Sequence, residues 1–223
     1  MRMRKHKWAV PELSVCPYYI GQPEHNRGVW RQAFPRPEQP LYVELGAGKC
    51  GFAAVHSLRH PDVNLLCVDK ITDILGVGRR TIEAAYEGEN RPVDNLLLCS
   101  HDIERVGLIL SEQDAVQRIY INFCNPWPKP KHWKKRLTHP RQLMNYRAFL
   151  KDGGEIHFKT DDADLFESSL GYFRQCGFTV TFLTRDLHAE TGVDNIETEH
   201  ERMFSAEGVP IMALYARKDP SPL

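Results

Sequence analysis

Three acidic residues stand at the ends of three apolar runs, and the first leads into a glycine turn. They are Glu44 in Glu44-Leu45-Gly46-Ala47-Gly48-Lys49, Asp69 after residues 64–68, and Asp102 after residues 96–99. Two glycines let a backbone turn tightly and approach a ligand with no Cβ in the way. Asp69 is placed to accept from ribose hydroxyls, and Asp102 to stand beside an adenine. Gly46-x-Gly48-x-x-Gly51 with Asp69 downstream also satisfies the dinucleotide fingerprint, so a nicotinamide-dependent dehydrogenase is the rival. Glu44 separates the two. Unit charges about 4 Å apart at an effective dielectric of about 20 interact by ~4 kcal/mol. A carboxylate repels a pyrophosphate by that amount and attracts an ammonium or sulfonium by the same. The expected cofactor is therefore S-adenosylmethionine, held by Glu44, Gly46, Gly48, Asp69 and Asp102.

A second group follows the apolar run 118–123. It reads Asn122-Phe-Cys-Asn125-Pro126-Trp127-Pro128-Lys129-Pro-Lys131-His132-Trp133-Lys134-Lys135-Arg136-Leu137. The prolines and tryptophans stiffen a loop, and lysines beside tryptophan suit phosphate contact combined with stacking on a base. Lys131, Lys134, Lys135 and Arg136 are the expected contacts to an RNA backbone.

The run Asn125-Pro-Trp-Pro-Lys129 with Lys134-Lys-Arg-Leu137 closely resembles the tRNA (guanine-N7-)-methyltransferases, of the bacterial single-subunit type. The resemblance extends over nearly the whole chain, through Met1-Arg-Met-Arg, Trp8-Ala9, Glu44-x-Gly-x-Gly-Lys49, His157-Phe-Lys-Thr-Asp161, Thr198-Glu-His-Glu201 and Phe204-Ser205. It implies a class I, Rossmann-like methyltransferase acting on a variable-loop guanosine of tRNA. It also implies that Glu44, Asp69, Asp102 and Asn125 contact the methyl donor or line its site. Lys129, Asp161 and the stretch Thr198, Glu199, His200 and Glu201 would hold the substrate. The chain departs from the family at two places. The family's loop begins with a catalytic aspartate where this chain has Asn125, and its Thr-x-Tyr-Glu is here Thr198-Glu199-His200-Glu201.

Guanine N7 carries a free lone pair, so its methylation requires no general base. Positive charge grows on the purine, which favours nearby acceptors. Guanine N1–H and N2 are donors, which Glu201 or Asp161 could accept. Two other functions fit part of the pattern. In an exocyclic-amine methyltransferase the Asn125 carbonyl would accept from the amino group being methylated. A catalytically inactive RNA-binding subunit would also carry asparagine at this position.

Such groups need a frame to hold them. Apolar runs at 41–45, 64–68, 96–99, 118–123 and 155–159 alternate with helical stretches at 50–58, 74–85, 142–150 and 165–176. That alternation predicts a doubly wound, mostly parallel α/β sheet. Runs at 178–183 and 211–216, with no obvious helix between them, predict an antiparallel edge. Residues 1–38 read as an irregular arm and 39–223 as the methyltransferase domain.

The chain has 223 residues, 29 basic and 29 acidic, so nucleic-acid affinity must come from local patches. Arg2, Arg4, Lys5 and Lys7 form one and Lys129 to Arg136 another, while acidic residues gather between Asp186 and Glu207. No apolar run approaches the ~20 residues that cross a bilayer. The six cysteines make no Cys-x-x-Cys and the histidines no His-Glu-x-x-His, so no metal site is expected. A cytosolic protein, monomeric or homodimeric, with tRNA as partner is expected.

Overall fold

A computed structural model describes residues 6–220. Eight strands form one sheet: β1 Tyr19–Ile20, β2 Leu41–Leu45, β3 Asn64–Asp69, β4 Leu96–Ser100, β5 Val116–Asn122, β6 Leu150–Thr160, β7 Phe178–Thr184 and β8 Met212–Lys218, in the spatial order β1-β4-β3-β2-β5-β6-β8-β7. The pairings from β1 across to β6 are parallel, while β8 runs antiparallel to both β6 and β7. This is the expected doubly wound sheet with its antiparallel edge.

The central strands are buried on both faces. Leu41, Val43, Leu45, Leu65, Leu66, Cys67 and Val68 are fully enclosed, as near-continuous apolar runs require when helices cover both sides. The helices are α1 Ala9–Ser14, α2 Gly51–Arg59, α3 Thr72–Gly88, α4 Pro140–Phe149, α5 Ala163–Gln175 and α6 Glu199–Ala206. All six cysteines are free, and burial pushes the thiol of Cys124 up to about 12.

Three features differ from the sequence-based expectation. Residues 6–38 are more than an irregular arm. Leu13, Tyr18, Trp30 and Phe34 enter the main core, and β1 pairs with β4 at the sheet edge. Helix α1 crosses α3 so closely that a Cβ on Gly76 would lie 2.4 Å from the Ala9 Cβ. Arg2, Arg4 and Lys5 lie outside the described residues. Next, β6 begins at Leu150, and its pairing with β5 shifts register between Val116 and Arg118 around Gly153, whose φ is +74°. Finally, the β7–β8 connection holds helix α6. Thr198-x-x-Glu201 is a capping box: the Thr198 hydroxyl accepts from the Glu201 amide (3.0 Å), and the Glu201 carboxylate accepts from the Thr198 amide.

Strand order reverses between β2 and β5. The chain leaves β2 toward β3 and β4 and returns to pair β5 on the other side. The carboxyl ends of β2 and β5 therefore flank the crevice where open α/β sheets bind ligands.

Candidate active site

Gly46 and Gly48 adopt φ of +85° and +54°, the left-handed region that a Cβ penalises. Their turn is pinned from β3: the Gly46 amide donates to the Val68 carbonyl (2.8 Å), and the Gly48 amide to Asp69 Oδ2 (3.0 Å). Asp69 Oδ1 accepts from the Ile71 amide, so this carboxylate shapes the glycine turn at the same strand end where ribose hydroxyls were expected. Gly78 of α3 presses on the turn, where a Cβ would meet Cys50 Sγ at 2.5 Å.

Beneath the turn lies Glu44, 2% exposed. Its Oε1 accepts from Asn122 Nδ2 at 3.1 Å, while its Oε2 is buried with no partner. Burial raises the carboxyl to about 8, against the pull of Asn122 and of the Lys159 charge. A buried, unpartnered carboxylate oxygen is expensive unless a donor meets it. The cleft above it encloses about 130 Å3 and is lined by Glu44, Gly46, Gly48, Asn122, Phe123 and Thr198, among others. The ammonium of S-adenosylmethionine fits this oxygen in both charge and hydrogen-bonding sense. A pyrophosphate does not.

Helix α6 forms the far wall. Lys49 Nζ, from the glycine turn, pairs with Glu199 Oε1 at 2.8 Å across the cleft, and both side chains are largely exposed. His200 stacks on Phe123 with ring centroids 6.1 Å apart. Glu201 points away from the cleft. It is fully buried, and its carboxylate accepts from Lys159 Nζ (2.7 Å), His188 Nε2 (2.8 Å) and Asn195 Nδ2 (2.6 Å). Burial works against its charge, but Lys159 and these hydrogen bonds hold it below the usual carboxylate range. Glu201 is therefore an anchor for the β7–β8 connection, not a free acceptor for guanine as the sequence suggested. Lys159 completes the anchor by also donating to Asn195 Oδ1 (2.8 Å) and the Ile196 carbonyl (2.9 Å).

The loop after β5 is similarly self-contained. Asn125 is exposed, and its Oδ1 accepts from the Trp127 amide at 3.0 Å, a turn that helps Trp127 hold its φ of +45°. Lys135 Nζ sits 4.9 Å from the Trp127 ring centroid. Lys129, Lys131 and Lys134 are exposed, as phosphate contacts must be. Arg136 is not among them. It is 2% exposed, its Nε donates to the Pro126 carbonyl (2.7 Å), and its guanidinium lies over Trp133. It braces the loop from inside.

The structure thus gathers Glu44, Gly46, Gly48, Thr198, Glu199 and His200 around one cleft and keeps Asn125, Asp102, Lys129 and Asp161 off its lining. Asp102 is exposed at the end of β4 and accepts from the Glu104 amide (3.0 Å), while Asp161 follows β6. Sequence reasoning did not identify Asn122 as Glu44's partner or Lys159 as Glu201's. Alternation along β5 places Asn122 on the face of Tyr120, whose register partner is Glu44, but no local pattern pairs Lys159 of β6 with Glu201 of α6. Among the described residues no three metal-binding side chains cluster, and no helix is long and apolar enough to cross a membrane.

Residues 38–214 match a family model described as putative methyltransferase. The chain is 51% identical over 218 residues to the tRNA (guanine-N(7)-)-methyltransferase of Clostridium perfringens (strain SM101 / Type A), covering 98% of this chain and all of that one. It is 44% identical to the enzyme of the same name from Acetivibrio thermocellus, again covering 98% and 100%. Among solved structures, the 16S rRNA methyltransferase KamB superposes with a TM-score of 0.60 at 12% identity, covering 98% of this chain and 96% of that one. A 16S rRNA (adenine(1408)-N(1))-methyltransferase from Catenulisporales acidiphilia, with its cosubstrate SAM, superposes with a TM-score of 0.58 at 16% identity, covering 90% and 93%. These last two likenesses speak to the fold.

Proposed function

The chain belongs to the tRNA (guanine-N7-)-methyltransferase family, and from that premise we propose that the cleft between β2 and β5 carries out methyl transfer from S-adenosylmethionine to N7 of a variable-loop guanosine in tRNA. The observation that carries this reading is the buried, unpartnered Glu44 Oε2 in a glycine-turned cleft at the switch point of the sheet. When bound there, S-adenosylmethionine supplies the electrophilic methyl. Glu44 then holds the donor's ammonium, and the Gly46–Gly48 turn admits it without steric conflict. Asp69 keeps that turn in place, and Asp102 borders the adenine end.

The protein's remaining task is to hold guanine in line, since N7 needs no proton removed. Such positioning is worth roughly 7–11 kcal/mol in favourable cases. Thr198, Glu199 and His200 on α6 form the wall facing the glycine turn, and Asp161 supplies an acceptor for guanine's N1–H and amino group. Asn125 orients the loop beside the reacting groups through its turn with Trp127. Lys129, Lys131, Lys134 and Lys135 take the tRNA backbone. The test is incubation with S-adenosylmethionine and unmodified tRNA, followed by nucleoside identification. 7-Methylguanosine supports the reading. A methylated exocyclic amine, or no product with tRNA still bound, refutes it.

A further inference from the structure

A second and larger cavity, about 340 Å3, lies beside the donor cleft between α2, the β5–β6–β8 sheet face and residues 192–196. That size falls within the ~300–1,000 Å3 of small-ligand sites. Its floor is aromatic. His157 and Tyr215 stack face to face across the β6–β8 pair, with centroids 3.7 Å apart at 12°, and Tyr120 meets His157 edge-on at 5.4 Å. Phe52 and Phe182 add apolar walls, and the paired His60 and Asp194 (3.7 Å) stand partly exposed among the lining residues.

The charges around this space are already matched. Arg118 pairs with Glu155 at 2.9 Å and lies over the Tyr42 ring, and Lys159 is satisfied by Glu201. Little net field remains to draw in a phosphate. Flat aromatic surfaces with a donor and an acceptor beside them instead suit an uncharged planar ring, as in single-strand nucleic-acid sites. We propose that this cavity seats an unstacked nucleobase, that of a tRNA nucleotide neighbouring the target guanosine. The target itself does not fit this role. Phe52 and Asn122 line both cavities, and Asn122 is tied to Glu44, so a base seated here lies beside the donor cleft and not in it.

The proposal rests on tRNA being the substrate, which formation of 7-methylguanosine in an intact transcript checks separately. Transcripts with an abasic site on either side of the target guanosine are then assayed with wild type, Tyr215→Leu and Phe182→Leu. One abasic position is expected to raise the KM for tRNA about tenfold or more in wild type, the scale of one missing base–aromatic stack. That penalty is expected to vanish in Tyr215→Leu, or in Phe182→Leu if the first variant does not fold, with donor affinity unchanged. Adenosine and uridine titrated into donor-saturated enzyme test the other source of the same chemistry. Binding lost in Tyr215→Leu, with no abasic penalty, assigns the cavity to a free nucleoside and overturns the tRNA-base proposal. No nucleoside binding, together with an abasic penalty that is absent or insensitive to both variants, overturns it as well.

Discussion

Lys159 Nζ lies 2.7 Å from Glu201 Oε2, and this buried pair fastens α6 to β6. Burial lowers the Lys159 ammonium from its ordinary range, against the pull of Glu201. All three of its protons have acceptors within 2.9 Å. The α6 wall of the donor cleft is therefore held from below by a charge pair that is almost wholly enclosed, Lys159 at 5% and Glu201 at 0% exposed.

Removing one partner strands the other charge. Lys159→Met is expected to cost about 3–5 kcal/mol, with Lys159→Met/Glu201→Leu less harmful than the single change. Glu201 is held below its unfolded value, so its contribution is present above the ordinary carboxylate range. It is lost as pH falls through the lower folded value. Urea titrations from neutral to acid pH check both statements. A double variant as unstable as the single would mean the pair is not coupled.

Glu44 has the opposite sign. Its folded value of about 8 lies above the unfolded one, so its contribution is full below the ordinary carboxylate range and declines as pH rises toward 8. Glu44→Gln should make stability flatter over that window. An incoming ammonium favours the carboxylate, so donor binding at pH 7 is expected to release about one proton. Calorimetry in buffers of different ionisation enthalpy measures this release, which Glu44→Gln should abolish while weakening the donor. Donor binding with no proton release, or equal affinity in the variant, would contradict the assignment.

The basic loop divides into two kinds of residue. Substituting Lys131, Lys134 and Lys135 with Ala should weaken tRNA binding and flatten its salt dependence. The log–log slope should fall by up to about 0.7–0.9 for each phosphate no longer neutralised. Arg136→Ala should instead loosen the loop, because the side chain is buried against Pro126 and Trp133. Its salt slope should stay close to wild type. Filter binding across a salt series gives both numbers.

Asn125 holds the Trp127 amide, and aspartate can do the same. Asn125→Asp is therefore expected to keep activity or raise it, since a carboxylate also attracts the cation forming on guanine. Asn125→Ala removes the acceptor that holds the Trp127 turn and should lower the rate of methyl transfer. Single-turnover methyl transfer decides the matter. An inactive wild type rescued by Asn125→Asp would show that a carboxylate is indispensable here.

Gly76 lies where α1 meets α3, with no room for a larger side chain. Gly76→Val should detach α1, with a destabilisation of about 1–3 kcal/mol from overpacking. Limited proteolysis should then cut early in the chain before the core yields. A variant as protease-resistant as wild type would show that the helices can separate slightly at no cost.

Much of this protein is legible in its residues alone. The alternation of apolar strands and helices and the Glu44 glycine turn point to the sheet and the donor, because periodicity and turn chemistry are local properties of a chain, while the Asn125–Leu137 run points to the substrate through the family it resembles. Pairing across space is not local. Glu201 and Arg136 look like surface groups in sequence, and both are buried braces, because Lys159 lies 42 residues from one and Pro126 folds back over the other. The helix at Thr198 was written in its capping box, but its place over the donor cleft depends on a lysine of β6. Whether a charged residue reads the substrate or holds the wall depends on which partner the tertiary fold delivers. A buried carboxylate is costly unless donors meet it, which is why Glu201 stands where Lys159 reaches it.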